Sequence, residues 1–316
     1  MALLSARAYS RLPTEQPNPR TRNIDRRSTA DIVRLINEED RRVPAAVARA
    51  SRDISRGVDA VAACLSSGGS VLFLGAGASG RLAVLEAAEC PPTFNTAPGA
   101  IRAVIAGGRR SMFRAKEGAE DDPALGREAV AKVRSGDVVV GVAASGVTPF
   151  VREALAAARR RGAVAILVTS NGRPRGVKAD IIIAADVGPE VVTGSTRLKS
   201  GTAAKLILNT LTTGAMIKIG KVHDHWMVDL RPASRKLRLR GERITADLGR
   251  VTPARARSLL RAAGGGVKLA VVMARRGLCA AQARQVLSGC AGSLRRAFRA
   301  PFLRQKPARR RRRPEA

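Results

Sequence analysis

Hydrophobic positions follow two rhythms along this chain. Short β-branched runs without a polar face, clearest at 137–143, predict strands covered on both sides; similar runs lie at 70–74, 101–106, 164–169 and 180–185. Ala-rich stretches between them, such as 153–161, read as covering helices. Strands alternating with helices at this spacing predict an α/β fold with a doubly wound parallel sheet.

Helical spacing dominates elsewhere. Ser28 or Thr29 can cap a helix whose apolar face is Ile32, Val33, Leu35 and Ile36. A longer amphipathic helix is expected from Pro44 to about residue 66, carried by Val47, Ile54, Val58, Val61 and Leu65. Leu206, Ile207, Leu211, Ala215 and Met216 make 199–218 a largely buried helix. Beyond Arg231 the pattern shifts to short helical segments near 253–263, 267–274, 280–287 and 293–299, a small C-terminal helical appendage. Pro13, Pro17 and Pro19 oppose regular structure near the start. The expected organisation is an arm over 1–28, an α/β domain with leading helices over 29–230, a helical domain over 231–300 and a basic disordered tail over 301–316.

Composition sharpens this picture only in part. Hydrophobic residues are 45% of the chain but aromatics 3%, so Ala, Val, Leu and Ile must build the core. A net charge of +32 invites a nucleic-acid reading. However, 24 basic and 3 acidic residues from Arg231 onward account for +21 of it, away from the glycine motifs. Arg309 to Arg313 read as a solvated tail, and neither nucleic acid nor a membrane is an expected partner. Cys64, Cys90, Cys279 and Cys290 have no metal-ligand spacing and read as reduced thiols. His223 and His225 lack a third ligand nearby, so no metal is expected. Without an export signal or a run of about 18 apolar residues, the expected location is the cytoplasm.

The chemistry concentrates in loops. Leu74 to Arg81 includes Gly77, Ser79 and Gly80, directly after a strand and at the start of a helix. Glycines there let backbone amides approach an anion, and the helix N-terminus adds positive potential. A tight structural turn is the alternative for this loop alone; it lacks the spacing and the acidic partner of a dinucleotide fingerprint. A second turn, holding Ser145, Gly146 and Thr148, sits at another strand end before another helix. Two such loops at the carboxyl ends of parallel strands open into one crevice. Ser195 and Thr196 lie in a third hydroxyl cluster followed by Lys199, where a plain N-cap is the alternative. No Walker lysine pattern accompanies them.

Acidic residues cluster at Glu86, Glu89, Glu117, Glu120, Asp121 and Asp122. Glu89, near a helix C-terminus, faces an unfavourable dipole that suits it to donate a proton. Spacing alone leaves Glu117 and Glu120 open to reading as a solvated acidic face.

At this point the chain resembles a known family. Asn37 to Asp40, Gly75 to Arg81, Ala88 to Phe94, Ile105 to Gly108, Glu117 to Asp122, Val138 to Gly146 and Val187 to Lys199 are similar to segments of the N-acetylmuramic acid 6-phosphate etherases, proteins with a sugar-isomerase (SIS) domain. The resemblance is collinear from about residue 14 to 299.

The resemblance implies cleavage of the lactyl ether of N-acetylmuramate 6-phosphate to N-acetylglucosamine 6-phosphate and D-lactate, by elimination then hydration, in peptidoglycan amino-sugar recycling. It assigns Glu120 as the base and Glu89 as the acid. It places Gly77, Ser79, Gly80, Ser145, Gly146, Thr148, Ser195, Thr196 and Lys199 around the sugar phosphate, with no cofactor, in a homodimer. Ala78 stands where the family usually has Thr, Ala88 where it often has Ser, Glu86 where it often has Asp, and Val147 where it usually has Arg. The alternative is a non-catalytic sugar-phosphate-binding regulatory protein, since relatives of these etherases include one that binds glucokinase.

Overall fold

The computed structural model describes residues 6–230, 232 and 234–301, and the arginine run at 309–313 lies outside them. The chain divides into two compact units at 219/220. The division precedes the expected 230/231 border because Val228 and Leu230 are buried in the core of the second unit.

In the first unit, a short helix α1 (Ala6–Tyr9) and three single 3-10 turns, Pro13–Glu15, Pro19–Thr21 and Ile24–Arg26, lead into α2 (Thr29–Asp40). The Ser28 hydroxyl caps α2 by accepting from the Asp31 amide at 3.1 Å. The single helix expected to residue 66 is two, α3 (Arg42–Arg49) and α4 (Ser51–Ser66), broken at Ala50 where ψ reaches 7°. The break lets both segments bury their apolar positions, Val43 and Ala46 in one, Ile54 and Val61 in the other.

The sheet is formed by β1 (Val71–Gly75), β2 (Ile101–Ile105), β3 (Val138–Val142), β4 (Val164–Thr169) and β5 (Ile181–Ala184). All neighbours are parallel, in the order β2-β1-β3-β4-β5. Its covering helices are α5 (Gly77–Phe94), α6 (Pro123–Ala129), α7 (Pro149–Arg160) and α8 (Lys199–Lys218). Side chains alternate between faces, so Leu72, Leu74, Val139 and Leu167 meet Val151, Ala154 and Leu155 of α7. On the other face α4 packs so closely on α8 that a Cβ at Gly57 would lie 2.7 Å from the Leu211 side chain. Strand order reverses between β1 and β3, and the turns leaving these two strands diverge to open a crevice at their carboxyl ends.

The second unit pairs β6 (Val222–His223) with β7 (Trp226–Met227) and continues through α9 (Arg235–Gly249), α10 (Pro253–Ala262), α11 (Val267–Arg276), α12 (Ala280–Gly289) and α13 (Leu294–Arg299). Its core includes Ile244, Leu260, Val271, Val286 and Leu294.

Candidate active site

A cleft of about 470 Å³ occupies the crevice. Gly77, Ala78 and Ser79 line it from the β1–α5 turn, and Ser145, Val147 and Thr148 line it from the β3–α7 turn. Neither α5 nor α7 carries a side-chain cap. The first-turn amides of α5 remain available to an anion, whereas α7 opens on Pro149, which has no N–H, and its Phe150 amide is already bonded. The tightness of the first turn has a steric origin: a Cβ at Gly80 would lie 2.5 Å from the Gly75 carbonyl oxygen.

The second turn is fixed from behind. The Arg152 guanidinium donates to the Gly146 carbonyl at 2.8 Å and to the Arg175 carbonyl at 2.7 Å. Asn171 donates to the Ser145 carbonyl at 2.9 Å, and Gly146 holds the turn at φ +72°. Val147 therefore presents an apolar side chain to the cleft while the nearby arginine is spent on loop carbonyls.

Glu120 reaches the same cleft from the loop before α6. The Phe150 amide in the first turn of α7 donates to its carbonyl at 3.0 Å, so one backbone bond ties Glu120 to the β3–α7 turn. Partial desolvation, then the neighbouring charges of Asp121 and Glu117, pushes the Glu120 carboxyl above the ordinary carboxylate range. A carboxylate so shifted is a stronger base than one in water.

Residues 53–159 match the glucokinase regulatory protein N-terminal SIS domain family. Over 91% of its length the chain is 48% identical to the N-acetylmuramic acid 6-phosphate etherase of Parasynechococcus marenigrum, covering 92% of that protein. It is 46% identical to the etherase of Rhizobium rhizogenes over 92% of this chain and 95% of that one. This chain belongs to the N-acetylmuramic acid 6-phosphate etherase family. A solved phosphoheptose isomerase from Francisella tularensis aligns at 18% identity with a TM-score of 0.47, covering 60% of this chain and 100% of that one.

The residues singled out by the etherase resemblance are not all in one place. Gly77, Ser79, Ser145, Thr148, Thr196 and Glu120 line the cleft. Gly80, Gly146 and Ser195 are not among its lining residues; they shape the turns beside it, Ser195 through its amide bond to the Val192 carbonyl at 2.9 Å. Glu89 is exposed on α5, twelve residues beyond Gly77. At 1.5 Å per residue that is about 18 Å along the helix axis from the phosphate turn.

Lys199 departs from the expectation that it closes the pocket. It is fully buried, donating to Glu39 at 2.6 Å and to the Val187 carbonyl at 3.0 Å. A buried ammonium requires such partners, and once it has them it cannot also reach the cleft. The third loop differs likewise in its helix end. Both oxygens of buried Glu190 accept from the first amides of α8, Lys199 at 3.0 Å and Ser200 at 2.9 Å. These amides are satisfied by protein, so the third loop offers the cleft Gly194 and Thr196 but no free helix terminus.

The sequence reading missed Tyr9, Thr14, Glu15 and Asp121, all of which line the cleft. Asp121 was visible within the acidic cluster beside Glu120. The other three lie in the proline-rich arm, where nothing local marks them.

Proposed function

We propose that the protein is a carbon-oxygen lyase that cleaves the lactyl ether of N-acetylmuramate 6-phosphate, giving N-acetylglucosamine 6-phosphate and D-lactate. The observation that carries this reading is the cleft itself, in which Glu120 is tied to a phosphate turn within a chain of the etherase family.

The substrate's phosphate sits at the uncapped start of α5 and against the β3–α7 turn, with the hydroxyls of Ser79, Ser145 and Thr148 donating to its oxygens. Glu120 takes the proton from the carbon beside the open-chain aldehyde. Those electrons form the carbon-carbon double bond as the bond to the lactyl oxygen breaks, and an acid protonates the departing oxygen. Water then adds across the double bond, restoring a hydroxyl at the vacated carbon. General acid and base assistance is needed because neither the carbon acid nor the alkoxide leaving group reacts readily near neutral pH.

The acid assigned by resemblance is Glu89. Its separation of about 18 Å along α5 exceeds the reach of a side chain toward its own cleft. We therefore read the active form as a homodimer in which Glu89 serves the partner's cleft. Leu85, exposed one turn before Glu89 on α5, and Leu206, exposed on the adjacent α8, supply an apolar face for that contact. A cytoplasmic place in peptidoglycan amino-sugar recycling fits a phosphorylated substrate, whose charge keeps it from crossing bilayers unaided. Among the described residues no helix is long and apolar enough to cross a membrane.

The test is incubation of purified protein with N-acetylmuramate 6-phosphate and an assay for lactate, alongside Glu120→Ala and Glu89→Ala. Lactate release that both variants abolish supports the assignment. No lactate from the intact protein overturns the lyase reading, and wild-type turnover by either variant overturns that residue's role.

A further inference from the structure

The proline-rich arm is anchored beside the cleft. The Gly194 amide donates to the Thr14 carbonyl at 3.1 Å, Thr21 Oγ1 donates to the Val191 carbonyl at 2.8 Å, and Asn18 Nδ2 donates to the Pro189 carbonyl at 3.3 Å. Arg20 Nε pairs with buried Glu39 at 2.9 Å. These bonds join the arm to the loop before α8 and to α2, and Leu12, Thr14, Asn18 and Thr21 are buried there. The arm is thus a wall of the cleft, with Tyr9, Thr14 and Glu15 facing the two phosphate turns across it.

Glu15 is unusual in so basic a chain. Among the described residues no Lys or Arg pairs with it, although the sequence holds 57 of them. Its neighbours are hydroxyls: Thr14 Oγ1 donates to Oε1 at 3.0 Å, and the Tyr9 hydroxyl lines the cleft beside it. Oε2 lies beside Gly194, 3.4 Å from where a Cβ on that glycine would be. Burial, then the charges of Glu15, Glu120 and Asp121, pushes the Tyr9 hydroxyl up, and all four residues line the same cleft.

The cleft lining is chemically mixed in consequence. The two turns offer amides and hydroxyls that attract a phosphate, and Glu15, Glu120 and Asp121 line the same cleft with carboxylates that repel a second anion and accept from neutral donors. We propose that Glu15 is a sugar-recognition residue, its carboxylate accepting a hydrogen bond from a hydroxyl or amide N–H of the sugar while Thr14 and Tyr9 hold it in place. This inference deepens the sugar-phosphate reading of the site and rests on it. Glu15 confers preference for a sugar phosphate over bare phosphate, a task distinct from the proton transfers.

The experiment compares wild type, Glu15→Ala, Glu15→Gln and Tyr9→Phe in calorimetric titrations with N-acetylglucosamine 6-phosphate and with inorganic phosphate, and in lactate-release kinetics. Glu15→Ala is expected to weaken N-acetylglucosamine 6-phosphate binding roughly tenfold or more, as for loss of a hydrogen bond to a charged group, with phosphate binding unchanged. KM should rise while kcat changes little, and Glu15→Gln, which keeps an acceptor, should recover part of the loss. Unaltered sugar-phosphate affinity in both Glu15 variants overturns the proposal, as does an equal fall for both ligands. A wild type that prefers phosphate alone overturns it too. If the intact protein releases no lactate yet shows the Glu15-dependent preference, the lyase reading fails and this inference stands.

Discussion

The Phe150 amide donates to the Glu120 carbonyl across 3.0 Å, coupling the proposed base to the start of α7. The helix behind this bond is close-packed: a Cβ on Gly126 of α6 would lie 2.3 Å from the Phe150 carbonyl oxygen. Gly126→Ala must therefore displace α6 from α7 and move Glu120 with it. A fall in kcat of at least tenfold is expected, with a stability loss of about 1–3 kcal/mol from overpacking, checked by kinetics and thermal melts.

The pH dependence of turnover should report Glu120. A base must be ionised, and this carboxyl is held above the ordinary range by desolvation and by the charges of Asp121 and Glu117. The acidic limb of kcat/KM is expected to rise with pH through a midpoint above that of a solvated glutamate. Asp121→Asn removes a like charge, so the limb should move to lower pH. A shift upward would contradict the electrostatic account.

The Lys199–Glu39 pair should govern stability and leave binding alone. Burial opposes ionisation of Glu39, but the Lys199 hydrogen bond and charge outweigh it and hold the carboxyl below its usual value. Its stabilising contribution is therefore fully present above the unfolded carboxylate pKa and fades as pH falls through the lower folded value. Lys199→Ala removes the only fully buried cation facing Glu39 among the described residues, leaving it the half-exposed Arg20, and should cost up to about 3–5 kcal/mol in denaturant titration near neutral pH. The double variant Glu39→Leu, Lys199→Met should recover much of that loss and keep KM within about twofold, since truncating both partners leaves no buried charge.

Complementation can locate Glu89. Mixed dimers formed from Glu89→Ala and Glu120→Ala chains carry one cleft with both carboxylates intact if Glu89 acts across subunits. Co-expression of differently tagged chains, followed by tandem purification, should return lactate release that neither variant shows alone. Failure of the mixed dimer to recover activity would place the acid elsewhere.

How much of this was legible in the sequence varies with how local the cause is. The β-branched runs gave strands within a residue or two of β1 to β5, and the expected helix 199–218 coincides with α8. The two glycine- and hydroxyl-bearing turns were legible for the same reason, since each lies between a strand and a helix. By contrast, α9 was not marked as a helix, because Leu237, Ile244 and Leu248 are sparse among its basic residues. The arm escaped because single 3-10 turns have little intrinsic signature, and its fixings run from Asn18 and Thr21 to residues about 170 positions away. Lys199 misled for a related reason: its partner Glu39 lies 160 positions away. Periodicity cannot see a bond of that kind.

The length of α5 between Gly77 and Glu89 carries a kinetic consequence for the proposed dimer. If the acid must come from another copy, specific activity should depend on protein concentration and fall on dilution toward the dissociation constant of the dimer. Turnover would then scale with the square of total protein at the dilute limit, and association would itself set when the ether is cut.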